Sequence, residues 1–279
     1  MEAQRIKRKI INDLKKYLPD FAEKSNQFTL NKLPSKKNLV YDLIFKNKPK
    51  TLPKELIIKI FRTINAEKEF LTFKKIENQN LFIPKIIYFE KPYLILEKIE
   101  GINLCDYIND NLIGKTSLDD LDSYLRDRLI FSIKKLAGWI AQLHKQNIVE
   151  TRVLSKTIVL NKGDTRLRDF IINLSDDLLY GVDFEGSYEG NHLDDITWIC
   201  CSLLDTDPGI FEMKEPEHKT ELINEFLKEY YRINKEFVFS FDYFAEHLIE
   251  DLNIVIERRG SGLGPFRKEE ILRRISDSL

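Results

Sequence analysis

Two short apolar runs, FIIN (170–173) and LLYGVDF (178–184), are separated by LSDD, four residues of turn chemistry. That spacing predicts a β-hairpin. If Asn173 pairs with Leu178, antiparallel register sets Asp169 opposite Val182, with Asp183 next along. Two carboxylates then stand side by side at the open end of one hairpin, with cross-strand Cβ atoms about 5 Å apart. Carboxylates that close repel unless a proton or a cation lies between them. Mg²⁺ suits the place, because it takes one or two protein carboxylates and fills its other positions with water and phosphate oxygens. Asp164 lies five residues before Asp169, in the loop that leads into the hairpin. A carboxylate there can orient a hydroxyl nucleophile and accept its proton. Turn and strand-end aspartates are common one at a time; three at this spacing around an apolar hairpin point to chemistry.

The chain has 279 residues, enough for one large domain or two lobes that bury a core without staples. Hydrophobic residues make up 43%, which excludes a disordered chain. Charged residues reach 32% yet cancel to a net charge of −1, so no nucleic-acid partner is expected. Cys105, Cys200 and Cys201 are odd in number and show no CxxC spacing, and read as reduced thiols. The start, MEAQRIKRKIINDLKKYL, lacks the apolar core of a secretory signal, and no apolar run is long enough to cross a bilayer. The expectation is a cytoplasmic protein with no membrane span. Ile6, Ile10, Leu14 and Tyr17 fall at helical spacing, predicting a basic amphipathic helix packed on the domain or lying on a membrane surface.

Along the chain the hydrophobic period changes once. Residues 26–61 read as strands, with NLVYDLIF (38–45) and ELIIKIF (55–61) as the clearest runs. Residues 65–77 turn helical behind Asn65, a good N-cap. KIIYFE (85–90) and YLILEKI (93–99) are two more strands, and Gly101 ends the run. Beyond it, 119–145 reads as a long helix with Leu129, Ile133, Leu136, Ile140 and Leu143 on one face. TIVL (157–160) and the hairpin follow, then DDITWICCSLL (194–204), apolar nearly all round, and a helix marked by Leu222, Ile223, Phe226, Leu227 and Tyr230. This is an α+β chain with a strand-rich part over 1–100 and a mainly helical part over 101–279.

KGDTRLRDFII followed by VDFEG resembles the protein-kinase-like phosphotransferases, closest to the aminoglycoside phosphotransferase and choline kinase branch. That branch carries H-G-D-x-x-x-x-N, an apolar strand, a turn, and a second strand ending in D-[FLW]-[EG]; DDITWICCSLL is similar to the apolar helix that comes next. The resemblance spans roughly residues 26–205. It implies a bilobal protein-kinase-like fold: a small antiparallel-sheet N-lobe with one main helix, and a larger, mostly helical C-lobe. It also implies a lysine inside an N-lobe strand and a glutamate on the following helix. ELIIKIF supplies Lys59, and KEFLTF supplies Glu69, with Glu67 as a rival on a different helix face. YLILEKIEG resembles the segment joining the lobes, with the adenine-holding hinge around Glu97 to Ile99. Carried over, Lys59 holds the α- and β-phosphates of ATP and Glu69 orients it. Asp164 is the catalytic base, and Asp169 and Asp183 bind Mg²⁺. The activity implied is transfer of the γ-phosphoryl group to a hydroxyl of a small molecule.

Three departures from the pattern bear on this. Lys162 stands where the family has histidine, Asp169 where it has asparagine, and the loop in NKLPSKKNLVYDL has no glycine to approach phosphate. Ser35, Lys36, Lys37 and Asn38 are the side chains available there instead. A pseudokinase acting as a nucleotide-binding or regulatory module is therefore the alternative. Protein Ser/Thr kinase activity is a further one, weakened by FEGS in place of D-F-G and the lack of A-P-E. Arg166 and Arg168 interleave with the aspartates; they contact phosphate or substrate, pair with Asp164 or Asp169, or are solvated. RRGSGLGPF (258–266) lacks the Gly-Lys-Ser/Thr ending of a phosphate loop and reads as a helix C-terminus and turn. His144 reads as a packed or capping residue. Asp205, Asp207, Glu212, Glu215 and Glu217 suit either a cationic acceptor or a solvated acidic loop.

Overall fold

The computed structural model describes residues 2–18, 27–62, 65–152, 156–213, 216–260 and 272–275. The chain divides into two compact units, residues 1–77 with 83–99, and residues 78–82 with 100–279. The first unit holds 22 lysines and arginines against 11 acidic residues, and the second 22 against 34. The balanced total thus hides a basic unit and an acidic one, and the whole-chain argument against polyanion binding does not extend to the first unit alone.

The first unit is one antiparallel sheet in the order β1-β2-β3-β5-β4, with two helices. Its strands are β1 (Phe28–Leu33), β2 (Leu39–Phe45), β3 (Glu55–Ile60), β4 (Ile86–Glu90) and β5 (Tyr93–Glu97). α1 (Glu2–Tyr17) buries Ile10 and Leu14 with Leu43, Phe45 and Ile58 of the sheet. Its apolar stripe is therefore spent on the sheet, as expected of a helix packed on the domain; the Ile6 side chain lies outside those described. Lys59 sits on the central strand, paired with Val40 on one side and Leu94 on the other. It is only 8% exposed, so it is no edge lysine reaching for water. α2 (Ala66–Ile76) begins where expected, but Asn65 has helical backbone angles and makes no capping bond. An N-cap needs extended backbone to aim its oxygen at the helix, which is why the cap fails here. Glu69 on α2 is 1% exposed, whereas Glu67 points to the surface and pairs with Lys91 at 2.5 Å.

The second unit is mainly helical, with two small sheets ordered β10-β9-β6 and β11-β8-β7. In chain order its elements are β6 (Ile102–Asn103), α3 (Leu104–Leu112), α4 (Ser123–Gln146), β7 (Ile148–Arg152), β8 (Lys156–Asn161) and β9 (Phe170–Asn173). β10 (Leu178–Gly181), β11 (Tyr188–Asn191), α5 (His192–Asp205), α6 (Glu217–Ile233) and α7 (Phe241–Arg259) complete it. The hairpin β9–β10 has the expected register, Asn173 opposite Leu178, and the Val182 amide still donates to the Asp169 carbonyl at 2.9 Å. α4 starts later than the expected 119, because Asp122 caps it through the Leu125 amide at 2.9 Å. Residues 118–120 form a separate turn closed by a Ser117–Asp120 capping box. α3 went unrecognised in the sequence although Leu104, Ile108 and Leu112 recur at helical spacing and are buried. α5 is buried nearly all round, as its composition predicts. Gly260 ends α7 in left-handed conformation, consistent with a helix C-terminus, and residues 261–266 lie outside the described residues.

Candidate active site

In the first unit the Lys59 ammonium donates to the Glu69 carboxylate at 2.6 Å, with the Phe61 ring 4.9 Å below it. Both partners are buried. Taking two charges out of water in this way costs several kcal/mol per ion, so the pair is weak evidence for stability and better evidence for a role. The loop between β1 and β2 turns without glycine. Ser35 accepts a hydrogen bond from the Asn38 amide at 3.3 Å, and the buried Asn38 side chain accepts one from the Arg62 amide at 3.3 Å. Asn38 is thus a brace, leaving Ser35 and Lys36 exposed. At the end of β5 the expected hinge is partly used up. The Glu97 amide donates to the Lys85 carbonyl at 3.0 Å and its carboxylate accepts the Lys85 amide at 3.0 Å. The Lys98 amide donates to Glu55 at 3.1 Å. Both amides are thus engaged within the sheet.

In the second unit the loop carrying Asp164 is wrapped around a buried carboxylate. Asp195, near the start of α5, accepts from the amides of Lys162 at 2.7 Å and Gly163 at 2.9 Å, and from the Thr165 hydroxyl. His144 Nε2 lies 3.2 Å from the same carboxylate, and His144 Nδ1 lies 2.8 Å from the Tyr230 hydroxyl. Burial alone would raise the Asp195 pKa; the donors from His144, Thr165 and Gly163 outweigh it and hold the carboxyl below its usual value. The sequence pointed to an aspartate at the head of this helix but not to its job. His144 is packed, as expected, and is part of the same brace. Gly163 has φ 71°, and a Cβ there would collide with the Gly186 carbonyl oxygen, so the two loops close on each other only through glycine.

The three aspartates singled out in the sequence are treated quite differently. Asp164 and Asp183 adopt left-handed backbone conformations, with φ 48° and 62°. Aspartate tolerates that region better than most residues, and outliers of this kind gather at functional sites. Arg166 grips Asp164, with Nε 2.8 Å from one carboxylate oxygen and Nη2 2.7 Å from the other. Among the alternatives open for Arg166, pairing with Asp164 is the one realised. Asp183 is exposed. Asp169 has a side chain 20% exposed, and its carboxyl is pushed up to about 6. Burial is the main cause; the charges of Asp183 and Asp164 add to it, while Lys162 and Arg166 oppose it. A hard oxygen donor already at proton-binding strength, with a second carboxylate pushing on it, fits a small divalent cation such as Mg²⁺.

Lys162, the residue in the family's histidine place, is fully buried. Its ammonium donates to the Asp183 carbonyl at 3.0 Å and stands 4.0 Å from the Asp169 carboxylate. The rings of Phe170 and Phe184 lie 5.4 and 5.5 Å from it. Lysine therefore keeps a bracing function by another bond. Arg168 is exposed and lies against the Cys105 thiol rather than with the aspartates. The acids after α5 share few cations: Arg259 reaches Asp205 at 2.6 Å and Glu212 at 2.9 Å, with Asp207 at 4.0 Å. Arg274 meets Glu217 at 3.2 Å, and Glu215 lies outside the described residues. One arginine facing three carboxylates leaves this stretch net acidic. All three cysteines are free and buried. Among the described residues no helix is long and apolar enough to cross a membrane.

No family profile matches the chain, and no curated protein sequence does. Solved structures do match. The chain is similar to choline kinase LicA from Streptococcus pneumoniae, at 13% identity and TM-score 0.57, covering 98% of this chain and 99% of that one. It is similar to APH(2″)-IIa in its ternary complex with streptomycin and ATP, at 16% identity and TM-score 0.53, covering 83% and 88%. A choline/ethanolamine kinase family protein from Mesorhizobium loti matches at 12% identity and TM-score 0.53, covering 97% and 94%. Identities this low speak for the fold. The chain has the α+β protein-kinase-like fold of aminoglycoside phosphotransferases and choline kinases, as its catalytic-loop resemblance implied.

Proposed function

We propose that this protein is an ATP-dependent phosphotransferase that moves the γ-phosphoryl group to a hydroxyl of a small molecule. The observation that carries the reading is the placing of two carboxylates, Asp169 and Asp183, at the mouth of one hairpin, beside a loop that holds Asp164 in left-handed conformation. The structural neighbours support the class: one was solved with ATP and streptomycin, and another is a choline kinase. In this reading Lys59, held by Glu69, meets the α- and β-phosphates, and Ser35 and Ile99 line the nucleotide. Asp169 and Asp183 hold Mg²⁺, which supplies charge neutralisation when bound. Asp164 orients the acceptor hydroxyl and takes its proton as the new O–P bond forms and the β–γ bridge breaks, releasing ADP. Arg166 fixes the Asp164 carboxylate against rotation. Lys162 keeps the Asp183 loop seated through its carbonyl.

The test is ADP release from ATP and Mg²⁺ across a panel of small alcohols and amino-alcohols, comparing wild type with Asp164→Asn. The proposal expects turnover with at least one acceptor class and a loss of at least about 100-fold in kcat in the variant. Activity that survives Asp164→Asn unchanged would remove the catalytic assignment. A second reading, nucleotide binding without turnover, is favoured by the two-pronged grip of Arg166 on Asp164. Saturable ATP binding with no ADP formed from any acceptor would select it.

A further inference from the structure

The second unit contains a pocket of 520 Å³ that none of the groups above uses. It lies between α4, the segment 78–82 and the β9–β10 hairpin. That volume falls within the range of small-molecule sites. Its floor is apolar and aromatic, made by Phe82, Phe131, Trp139 and Leu179. Both acids in its wall are already held: Asp177 by Arg128 at 2.8 Å, and Glu229 by Arg232 at 2.7 Å. The wall's two lysines differ. Lys134 meets Glu225 at 3.3 Å, whereas Lys135 meets only the Phe131 ring, 4.9 Å from its centroid, and no carboxylate among the described residues. The pocket thus offers one uncommitted cation over an aromatic floor.

A second observation points the same way. Gly138 lies in the interior of α4, where glycine is destabilising relative to alanine. Neither of the usual reasons for glycine applies. Its φ is ordinary, and a Cβ there would meet nothing nearer than Ile233 Cδ1 at 3.8 Å. What the missing side chain does is leave the pocket wall open. We propose that this pocket binds a flat aromatic anion, with Lys135 facing its carboxylate or sulfonate and its ring packed against the apolar lining. The pocket backs onto the hairpin. Trp139 Nε1 and the Gly181 amide both donate to the Phe82 carbonyl, at 3.0 and 3.1 Å. The indole also meets Phe170 edge-on at 5.5 Å and Phe184 at 6.1 Å, the neighbours of Asp169 and Asp183.

The test uses the full chain with Trp198→Phe, which leaves Trp139 as its one tryptophan. The probe is 1-anilinonaphthalene-8-sulfonate, titrated with energy transfer from Trp139 and calorimetry as readouts. We expect one saturable site, unaffected by ATP with Mg²⁺. Lys135→Glu should weaken it at least tenfold, and Gly138→Leu should abolish it without lowering the melting temperature. The uncharged N-phenyl-1-naphthylamine should bind more weakly than the sulfonate and be indifferent to Lys135→Glu. Displacement of the probe by ATP, absence of saturation, or an affinity unchanged by Lys135→Glu would each overturn the proposal. The last decides it even if Gly138→Leu fails to fold, because Lys135 lies on the outer side of α4. The responses to Lys135→Glu and to the uncharged probe leave the phosphotransfer reading untouched, and Asp164→Asn tests that reading separately.

Discussion

Asp195 and Asp183 belong to the same unit and to segments twelve residues apart, yet the fold treats them as opposites. Asp195 is fully buried and ringed by two amides, a hydroxyl and an imidazole, which keep its carboxyl ionised. Asp183 is exposed on a left-handed backbone, and its charge helps to push Asp169 toward protonation. One carboxylate is ringed by donors and shapes a loop. The other stands beside a second carboxylate whose proton affinity it raises. The difference teaches how to tell apart the acids of a chain rich in them: one carries several donors with it, and the other shares its place with a like charge.

The comparison can be broken from either side. The largest effect should come from Asp195→Ala, which strips four buried groups of their acceptor at once. Urea denaturation should show a loss of about 3–5 kcal/mol, close to the whole stability of a marginal domain. A loss under about 1 kcal/mol would mean the loop stands without its brace. Asp183→Ala should behave in reverse. Its stability without ligand should fall by only about 1 kcal/mol, the cost of alanine in left-handed backbone, well short of the loss at Asp195. Lys219→Met sharpens the contrast with a buried base. Lys219 is fully buried, its ammonium donating to the Thr206 hydroxyl at 2.7 Å, and burial pushes its pKa down to about 8, against the pull of Cys105 and nearby acids. A folded value below the unfolded one contributes stability that is present above about pH 10.4 and is lost as pH falls through about 8. At pH 7 the variant should therefore melt higher than wild type, by about 1–2 kcal/mol, and the gain should shrink toward pH 10. A gain that is constant with pH would point to packing alone. The smallest stability effect belongs to Arg166→Gln, whose half-exposed ion pair is worth about 0–1 kcal/mol. Its signature should be kinetic, a fall in kcat with KM for ATP nearly unchanged.

Much of this arrangement was legible in the sequence, and the legible parts share a cause. The hairpin register follows from two apolar runs and a four-residue turn, because side-chain period and turn length leave few pairings open. Lys59 and Glu69 could be named because the resemblance calls for a lysine in a strand and a glutamate on the next helix; ELIIKIF and KEFLTF supply them, and an apolar run follows Glu69 directly. Glu69 over Glu67 was settled only by helix phase, which sequence places to within a residue or two. β11 was missed because YEGN carries too little apolar signal to stand out and is stabilised by pairing with β8, whereas α3 carries the helical spacing of Leu104, Ile108 and Leu112 over only nine residues. The Asp195 brace was invisible for a related reason. Its partners Lys162, Gly163 and Thr165 lie some thirty residues away, and hydrogen bonds over that separation leave no local pattern. The hydrogen bond of Glu97 to the Lys85 amide was not legible, because a strand-end glutamate can turn back on a neighbouring strand as readily as it can point away.

The central claim is that Asp169 and Asp183 wait for a cation that arrives with nucleotide. The most direct test is thermal unfolding of wild type and Asp183→Ala with ATP alone, Mg²⁺ alone, and both together. A ligand at about 100 times its Kd adds roughly 2.7 kcal/mol, which a melting curve resolves. The account predicts stabilisation of that order only when both are present, and none in Asp183→Ala. Equal stabilisation of the two proteins, or none with either nucleotide-metal combination, would contradict it.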